Sequence, residues 1–234
     1  MFLKLAWRNI WRNKRRSLIT IASIFFAVLF SVFMRAIQLG SYDLMIDGMV
    51  RFYSGYIQIH SNGYWEEQTL DNSFNYNDEF LKNVEETEDV TLVVPRLESF
   101  ALGSSGQLTK GALVAGIDPE AEDKLMQLTK KLTGGSIFSK EDKSILLAEG
   151  LANYFNLKIN DTLVLLSQGY HGVSAAGKYP ISGIVKFGSP QLNDNMLFLP
   201  LKEAQWFYGA ENRITSFALL IEDRNKIEKV ITNI

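Results

Sequence analysis

The 234-residue chain contains no cysteine. That excludes disulfides, thiolate metal sites, a cysteine nucleophile and a lipidated N-terminal cysteine. It permits an oxidising compartment without pointing to one. Proline is scarce, at five residues, while 47% of the chain is apolar and 12% aromatic; this excludes a proline-rich disordered chain and argues for a packed core. Acid is missing from one end, where the first acidic residue is Asp43. Ahead of it stand seven basic residues, Lys4, Arg8, Arg12, Lys14, Arg15, Arg16 and Arg35. The formal charge of −2 therefore conceals a basic head and a body in which seventeen basic residues face all 26 acids. Such asymmetry suggests a membrane or nucleic-acid contact at the basic end.

Chemical motifs are missing too. There is no Gly-x-x-x-x-Gly-Lys-Ser/Thr, so no nucleotide is expected on a P-loop of this chain. Gly-x-Ser-x-Gly, His-Glu-x-x-His and Ser-x-x-Lys are also absent. The two histidines, His60 and His171, lack ligand spacing and read as surface or strand residues. The segment Asp71-Asn72-Ser73-Phe74-Asn75 has the acid and amide content of a calcium loop. Tyr76 stands where that loop needs glycine, and no glutamate occupies its twelfth position, so a polar loop is expected. Glu66-Glu67 and Glu85-Glu86 read as solvated faces. Neither a catalytic residue nor a metal or cofactor held by this chain is expected.

What is present is a hydrophobic run. Residues 18–34 carry no charge and, as a helix, would extend about 26 Å, slightly short of a hydrocarbon core of about 30 Å. Continuing through Arg35, Ala36, Ile37, Gln38 and Leu39 closes the gap, with Arg35 snorkelling outward. The run is long, is preceded by a tryptophan-containing segment and lacks a small-x-small cleavage site, so an uncleaved anchor is expected rather than a signal peptide. This decides for membrane over nucleic acid. The Lys14-Arg15-Arg16 cluster predicts a cytoplasmic N-terminus. Within residues 1–16, Phe2, Leu3, Ala6, Trp7, Ile10 and Trp11 share one helical arc, while Lys4, Arg8, Arg12, Arg15 and Arg16 share the other; Leu5 is the main exception. This is the pattern of a helix lying in the headgroup layer, with Trp7, Arg8, Trp11, Arg12, Lys14, Arg15 and Arg16 as membrane-interface residues.

The pattern therefore divides the chain into an amphipathic helix at 1–16, a transmembrane helix at 17–40 and a folded domain at 41–234. Within that domain, strands are expected at 56–60, 90–94, 113–117, 145–147, 162–167, 179–187, 196–199 and 216–221. Helices are expected at 77–88, 119–132, 149–155, 201–208 and 225–231. Segment 100–110 reads as a turn, and the helix from Pro119 is expected to stop at Gly134-Gly135. Strands and helices without a regular βαβ rhythm make this an α+β domain.

Several segments, in order, resemble FtsX-like permeases, the membrane subunits of MacB-type and lipoprotein-releasing ABC transporters. They are Leu5-Ala6-Trp7-Arg8-Asn9-Ile10-Trp11-Arg12-Asn13-Lys14-Arg15-Arg16-Ser17, Gly55-Tyr56-Ile57-Gln58-Ile59-His60 and Gly116-Ile117-Asp118-Pro119-Glu120. Ile145-Leu146-Leu147-Ala148-Glu149-Gly150-Leu151-Ala152 follows with Leu157-Lys158-Ile159-Asn160-Asp161-Thr162, then Gly183-Ile184-Val185 and Leu199-Pro200-Leu201-Lys202-Glu203-Ala204-Gln205. The ordered set favours the lipoprotein-releasing branch. The resemblance implies a bacterial inner-membrane subunit, of the Gram-negative kind, with a MacB-like periplasmic core domain between its first two transmembrane helices. It implies a second permease subunit in a homo- or heterodimer, and a cytoplasmic ABC ATPase that carries ATP and Mg. It also implies contact with membrane lipid, with a lipoprotein and with a periplasmic lipoprotein chaperone, and none with nucleic acid. The chain holds one of the four implied helices and reads as the front part of such a subunit. Phe30, Phe33, Met34 and Ile37 are placed as lipid- or cargo-contacting residues, against ordinary helix packing. Tyr170 and His171 fall in the loop 168–178, where a chaperone-recruiting hook occurs in one such subunit, against a plain strand connection. A MacB-like exporter of peptides or drugs, a permease regulating cell-wall hydrolases and a single-pass periplasmic scaffold stand as alternatives.

Overall fold

The computed structural model describes residues 7–8, 11–49 and 53–234. Two compact units are present, residues 1–48 and 49–234. Residues 1–6 and 9–10 of the expected amphipathic helix lie outside the described residues, whereas Trp7, Arg8, Trp11 and Arg12 are helical.

Helix α1 (Lys14–Met49) has 36 residues and is therefore about 54 Å long. Its stretch 14–42 is apolar enough to cross a membrane. The Thr20 hydroxyl donates to the Arg16 carbonyl at 3.1 Å and the Ser23 hydroxyl to the Ile19 carbonyl at 2.8 Å. Those polar groups are thus satisfied inside the helix, as a hydrocarbon environment requires.

The second unit is a mixed strand-and-helix domain. Its strands are β1 (Ile57–His60), β2 (Phe74–Asn75), β3 (Val90–Ser105), β4 (Leu108–Ile117), β5 (Leu132–Gly135), β6 (Ile145–Ala148), β7 (Thr162–Gln168), β8 (Ser174–Val185), β9 (Met196–Pro200), β10 (Arg213–Ile214) and β11 (Ser216–Ile221). Its helices are α2 (Tyr64–Glu67), α3 (Asp78–Glu85), α4 (Pro119–Met126), α5 (Leu128–Lys131), α6 (Glu149–Phe155), α7 (Pro190–Asn193), α8 (Leu201–Tyr208) and α9 (Ile227–Asn233). The main sheet runs β1-β11-β3-β4-β9-β6-β8-β5, and β7 pairs with both β3 and β8. Long strand β3 makes this possible: its first part pairs with β11, its second with β4, and Leu102, Gly103 and Ser104 also pair with β7. The pairings β3-β4-β9-β6-β8-β7 consequently return to β3.

Alternation distributes side chains between two cores. In β9, Leu197 and Leu199 join Phe155 of α6 and Phe207 of α8, while Met196 and Phe198 join Leu125, Met126 and Leu128. Strand β6 divides the same way, with Ile145 and Leu147 opposite Leu146 and Ala148. Cover on both faces explains why these strands are unbroken apolar runs rather than alternating ones. A third cluster places Val93, Phe217 and Leu219 against Val84 of α3 and Val230 of α9. Helix α3 starts where Asn77 accepts from the Phe80 amide at 2.7 Å, an N-cap.

The structure corrects several element expectations. The helix from Pro119 does not reach 132. It breaks at Gln127, which is left-handed at φ 55, and the Asp123 carboxylate accepts from the Thr129 amide at 2.7 Å to begin α5. Leu132, which continued the helical spacing, is instead recruited to the sheet opposite Val185. Segment 100–110 is mostly strand; the turn is Gly106-Gln107, between the paired Ser105 and Leu108. Strand β8 begins at Ser174 and ends at Val185, earlier than expected at both ends. The last helix is preceded by a 3-10 turn at Arg224–Lys226, with Asp223 accepting from the Asn225 amide. The short α2, and the pairing of β2 with β10, had no sequence signal long enough to read.

Helix α8 lies so close to β4 that a Cβ on Gly116 would collide with the Ala204 Cβ, whereas Gly111 of the same strand faces open space. Gly116→Val should therefore lower stability by about 1–3 kcal/mol through overpacking. Gly111→Val should leave it nearly unchanged, because a β-branched residue suits a strand. Denaturant unfolding of the two variants of the full chain in detergent measures the contrast.

Candidate functional site

Phe30, Phe33, Met34 and Ile37 follow one another at helical spacing and form a single stripe along α1. All four are exposed. The Phe26 ring stacks on Phe30 with centroids 6.2 Å apart and extends the stripe by one turn. Among the described residues of the first unit, nothing covers this surface.

Trp7, Arg8, Trp11, Arg12, Lys14, Arg15 and Arg16 are all exposed. The Trp7 and Trp11 rings lie 6.2 Å apart, and the Lys14 ammonium sits 5.1 Å from the Trp11 centroid, within cation–π range. Lys14 is therefore on the tryptophan side of the helix. With Ser17, Leu18 and Ile21 these residues line an apolar groove of about 280 Å³.

The folded domain contains a buried polar frame with no precedent among the expected site residues. Arg96 of β3 and Glu122 of α4 are both fully buried. Their contact is bidentate, with the Arg96 Nε donating to Glu122 Oε2 at 2.9 Å and Nη2 to Oε1 at 2.5 Å. Nη1 donates to the Tyr53 carbonyl at 2.6 Å, and the guanidinium lies 4.0 Å from the Tyr53 ring centroid. Burial, the largest single influence, pulls the arginine pKa down, but Glu122, Tyr53 and Glu98 together outweigh it, and the net direction is up. The Tyr53 hydroxyl donates to Glu98, and Ser216 donates to the other Glu98 oxygen at 3.1 Å. Burial, with Glu98 beside it, pushes the Tyr53 phenol well above its ordinary range. The location of Glu122 follows from sequence: Pro119 and the Asp118 cap begin α4, and the first turn of a helix favours a carboxylate.

Tyr170 and His171 lie in the short connection between β7 and β8. The Gly169 amide donates to the Val173 carbonyl at 2.6 Å. Tyr170 is half-buried, with the Arg213 guanidinium 4.5 Å from its ring centroid, and His171 is exposed, with its amide donating to Asp71 at 3.1 Å. A Cβ on Gly169 would strike the Tyr208 carbonyl, so this turn is seated on the domain. The polar segment at Asp71 is a 3-10 turn leading into β2. Among the described residues no group of three histidine, aspartate or glutamate side chains could hold a metal ion.

The sequence brought the α1 and β7–β8 residues to attention but missed Tyr53, Arg96, Glu98 and Glu122. One signal was available: Arg96 interrupts Val93, Val94, Pro95 and Leu97, an otherwise apolar strand. Its partner, 26 positions later in a helix rich in acids, had nothing to distinguish it from Glu120.

No family model matches the sequence, and no curated protein sequence matches it. Solved structures do. The chain is similar to the extracellular domain of the noncanonic ABC-type transporter YknZ from Gram-positive bacteria, at a TM-score of 0.53 and 12% identity, over 74% of this chain and 86% of that one. It is also similar to the periplasmic region of MacB from Actinobacillus actinomycetemcomitans, at a TM-score of 0.51 and 15% identity, over 71% of this chain and 73% of that one. At these identities the likeness is one of fold: the mixed strand-and-helix domain has the architecture of those two extracytoplasmic regions.

Breaking the Arg96–Glu122 pair from one side strands a buried charge. Arg96→Met and Glu122→Leu, each alone, should cost about 3–5 kcal/mol. The double variant should cost much less than their sum, because it leaves neither charge behind. A double-mutant cycle by denaturant unfolding gives the coupling; strict additivity would contradict this account.

Proposed function

We propose that the chain is the N-terminal part of an ABC-transporter permease subunit, with α1 as its first membrane helix and the domain on the extracytoplasmic side. The observation that carries this reading is the combination of an exposed apolar helix with a following domain whose architecture occurs in two transporter extracytoplasmic regions. In this reading a cytoplasmic ABC ATPase, binding ATP and Mg, drives a dimer of permease subunits, and this chain carries no catalytic group of its own. The N-terminus is cytoplasmic, as the basic head favours, and Trp7, Trp11 and their basic neighbours lie in the headgroup layer of a bacterial inner membrane.

Tyr53 supports a mechanical role for the domain. It follows Met49 by four positions in sequence, and its carbonyl is bonded to the Arg96 guanidinium in the longest strand of the sheet. Displacement of the chain at residue 53 acts directly on a buried, bidentate pair. A displacement at residue 53 therefore acts on β3 and α4 together.

For the cargo we propose a lipidated protein, on the strength of the uncovered stripe formed by Phe30, Phe33, Met34 and Ile37. Acyl chains are flexible and apolar, and aromatic and methionine side chains match such a surface without polar groups to desolvate. A second reading, export of a peptide or drug, is favoured by the β7–β8 connection. With Tyr170 packed against Arg213, that turn is short and seated on the domain, which supports a plain strand connection over a chaperone-recruiting hook.

The absence of cysteine makes topology directly testable. Asn13→Cys and Gln107→Cys each introduce one thiol into an otherwise thiol-free chain. A membrane-impermeant maleimide applied to intact spheroplasts should label Cys at 107 and spare Cys at 13 until lysis; the reverse pattern would sink the orientation. A tagged chain should copurify with a P-loop ATPase from its native membranes. A photo-crosslinking residue at Phe33 or Met34 should label a lipoprotein, and labelling of phospholipid alone would count against that cargo.

A further inference from the structure

We propose that the cleft beside β1 and α2 binds an organic cation, an ammonium or guanidinium group, through Glu98 and a wall of aromatic rings. The cleft has a volume of about 330 Å³, the size of a small ligand pocket. Its wall is a three-ring corner. His60 and Tyr64 stack face to face with centroids 4.8 Å apart and planes 7° from parallel, and Trp65 meets His60 edge-on at 4.9 Å. The His60 Nδ1 lies 3.1 Å from the Thr215 carbonyl and Nε2 lies 3.2 Å from the Gln58 side-chain oxygen, two acceptors of which the neutral ring donates to one. The wall is therefore in place before a ligand arrives. Phe100 closes the cleft from β3. Trp65 and Phe100 are 63% and 59% exposed, so neither ring is occupied in packing the core.

Charge selects the ligand. Arg96 and Glu122 neutralise each other in their bidentate contact, which leaves Glu98 as the unbalanced charge of the frame. Lysine and arginine are absent from the described residues lining the cleft, so an anion would meet the Glu98 charge with no lysine or arginine among those residues to offset it. The Glu98 oxygens accept one hydroxyl hydrogen bond each, from Tyr53 and Ser216. A carboxylate offers about four acceptor positions, so two remain for a ligand. A carboxylate next to electron-rich ring faces is the combination that holds a desolvated ammonium or guanidinium ion.

The test is calorimetric titration of the full chain in detergent with n-propylguanidinium, beside its uncharged isostere n-propylurea. The cation should bind at least about tenfold more tightly than the urea. Glu98→Gln, which keeps the side chain's shape, should weaken cation binding by about tenfold. Trp65→Ala alters an exposed ring and should keep the fold while weakening binding severalfold; it decides the matter even where Glu98→Gln fails to fold. Titrating acetyl-Gly-Arg-Gly-amide against the citrulline counterpart separates the sources: preference for the arginine peptide over propylguanidinium identifies a basic side chain of a polypeptide, and equal affinity a free cation. Equal binding of propylguanidinium and propylurea, no binding of either, or a Trp65→Ala variant that binds the cation like the parent chain would overturn the proposal.

Discussion

The Arg96–Glu122 pair sits where three parts of the domain converge, and the rest of the domain is arranged around it. Arg96 stands in β3 at the residue where pairing passes from β11 to β4. Glu122 belongs to the helix that follows β4, and Tyr53 belongs to the segment that precedes β1. Two fully buried charges cost several kcal/mol each in desolvation. They can remain because each guanidinium nitrogen meets an acceptor: two meet the carboxylate and the third meets the Tyr53 carbonyl. Sheet register, helix position and chain path are thus fixed by one planar group whose geometry tolerates little displacement.

That constraint gives β3 its unusual reach. A sixteen-residue strand could slip in register, and a slip of one residue would turn every side chain to the wrong face. Arg96 excludes the slip, because either neighbouring register would leave a guanidinium without its carboxylate. Once register is set, Leu102, Gly103 and Ser104 are delivered to β7 and the pairings close on themselves. Close approaches then become possible elsewhere. Gly103 lets the Phe155 ring lie against β3, and Gly116 lets α8 settle on β4.

How far the sequence foretold this follows from the range of each interaction. Helices α6 and α8 were legible to the residue, because Glu149-Gly150-Leu151 and Leu201-Lys202-Glu203 carry local signals at helical spacing. Strands β6 and β9 were legible as short apolar runs. Failures occurred where a distant partner decided. Leu132 had helical spacing with Leu125 and Leu128 but was taken by Val185 across the sheet. Phe100 and Leu102, beside glycines and serines, read as a turn because their strand partners lie in β4 and β7. The stripe on α1 was visible because helical periodicity is local. The Tyr53–Arg96–Glu98–Glu122 frame was not, because it joins residues up to 69 positions apart and no spacing rule connects them.

The two units also answer different solvents. Along α1 the large apolar side chains from Leu18 to Leu39 are exposed in every direction, a distribution that water does not support and that lipid or neighbouring helices do. In the second unit the inner strands β6 and β9 are buried along their whole length, and the fully buried Arg96 and Glu122 are paired with each other. The apolar middle of α1 carries no charge between Leu18 and Met34, so lipid or neighbouring helices can cover it without desolvating a charge. A domain fixed by a buried bidentate pair cannot deform by small steps and instead moves as a body. Tyr53, near the start of the second unit, is tied into that frame by its carbonyl and its hydroxyl, so the entry of the chain into the domain is fixed by the same buried pair that sets the register of β3.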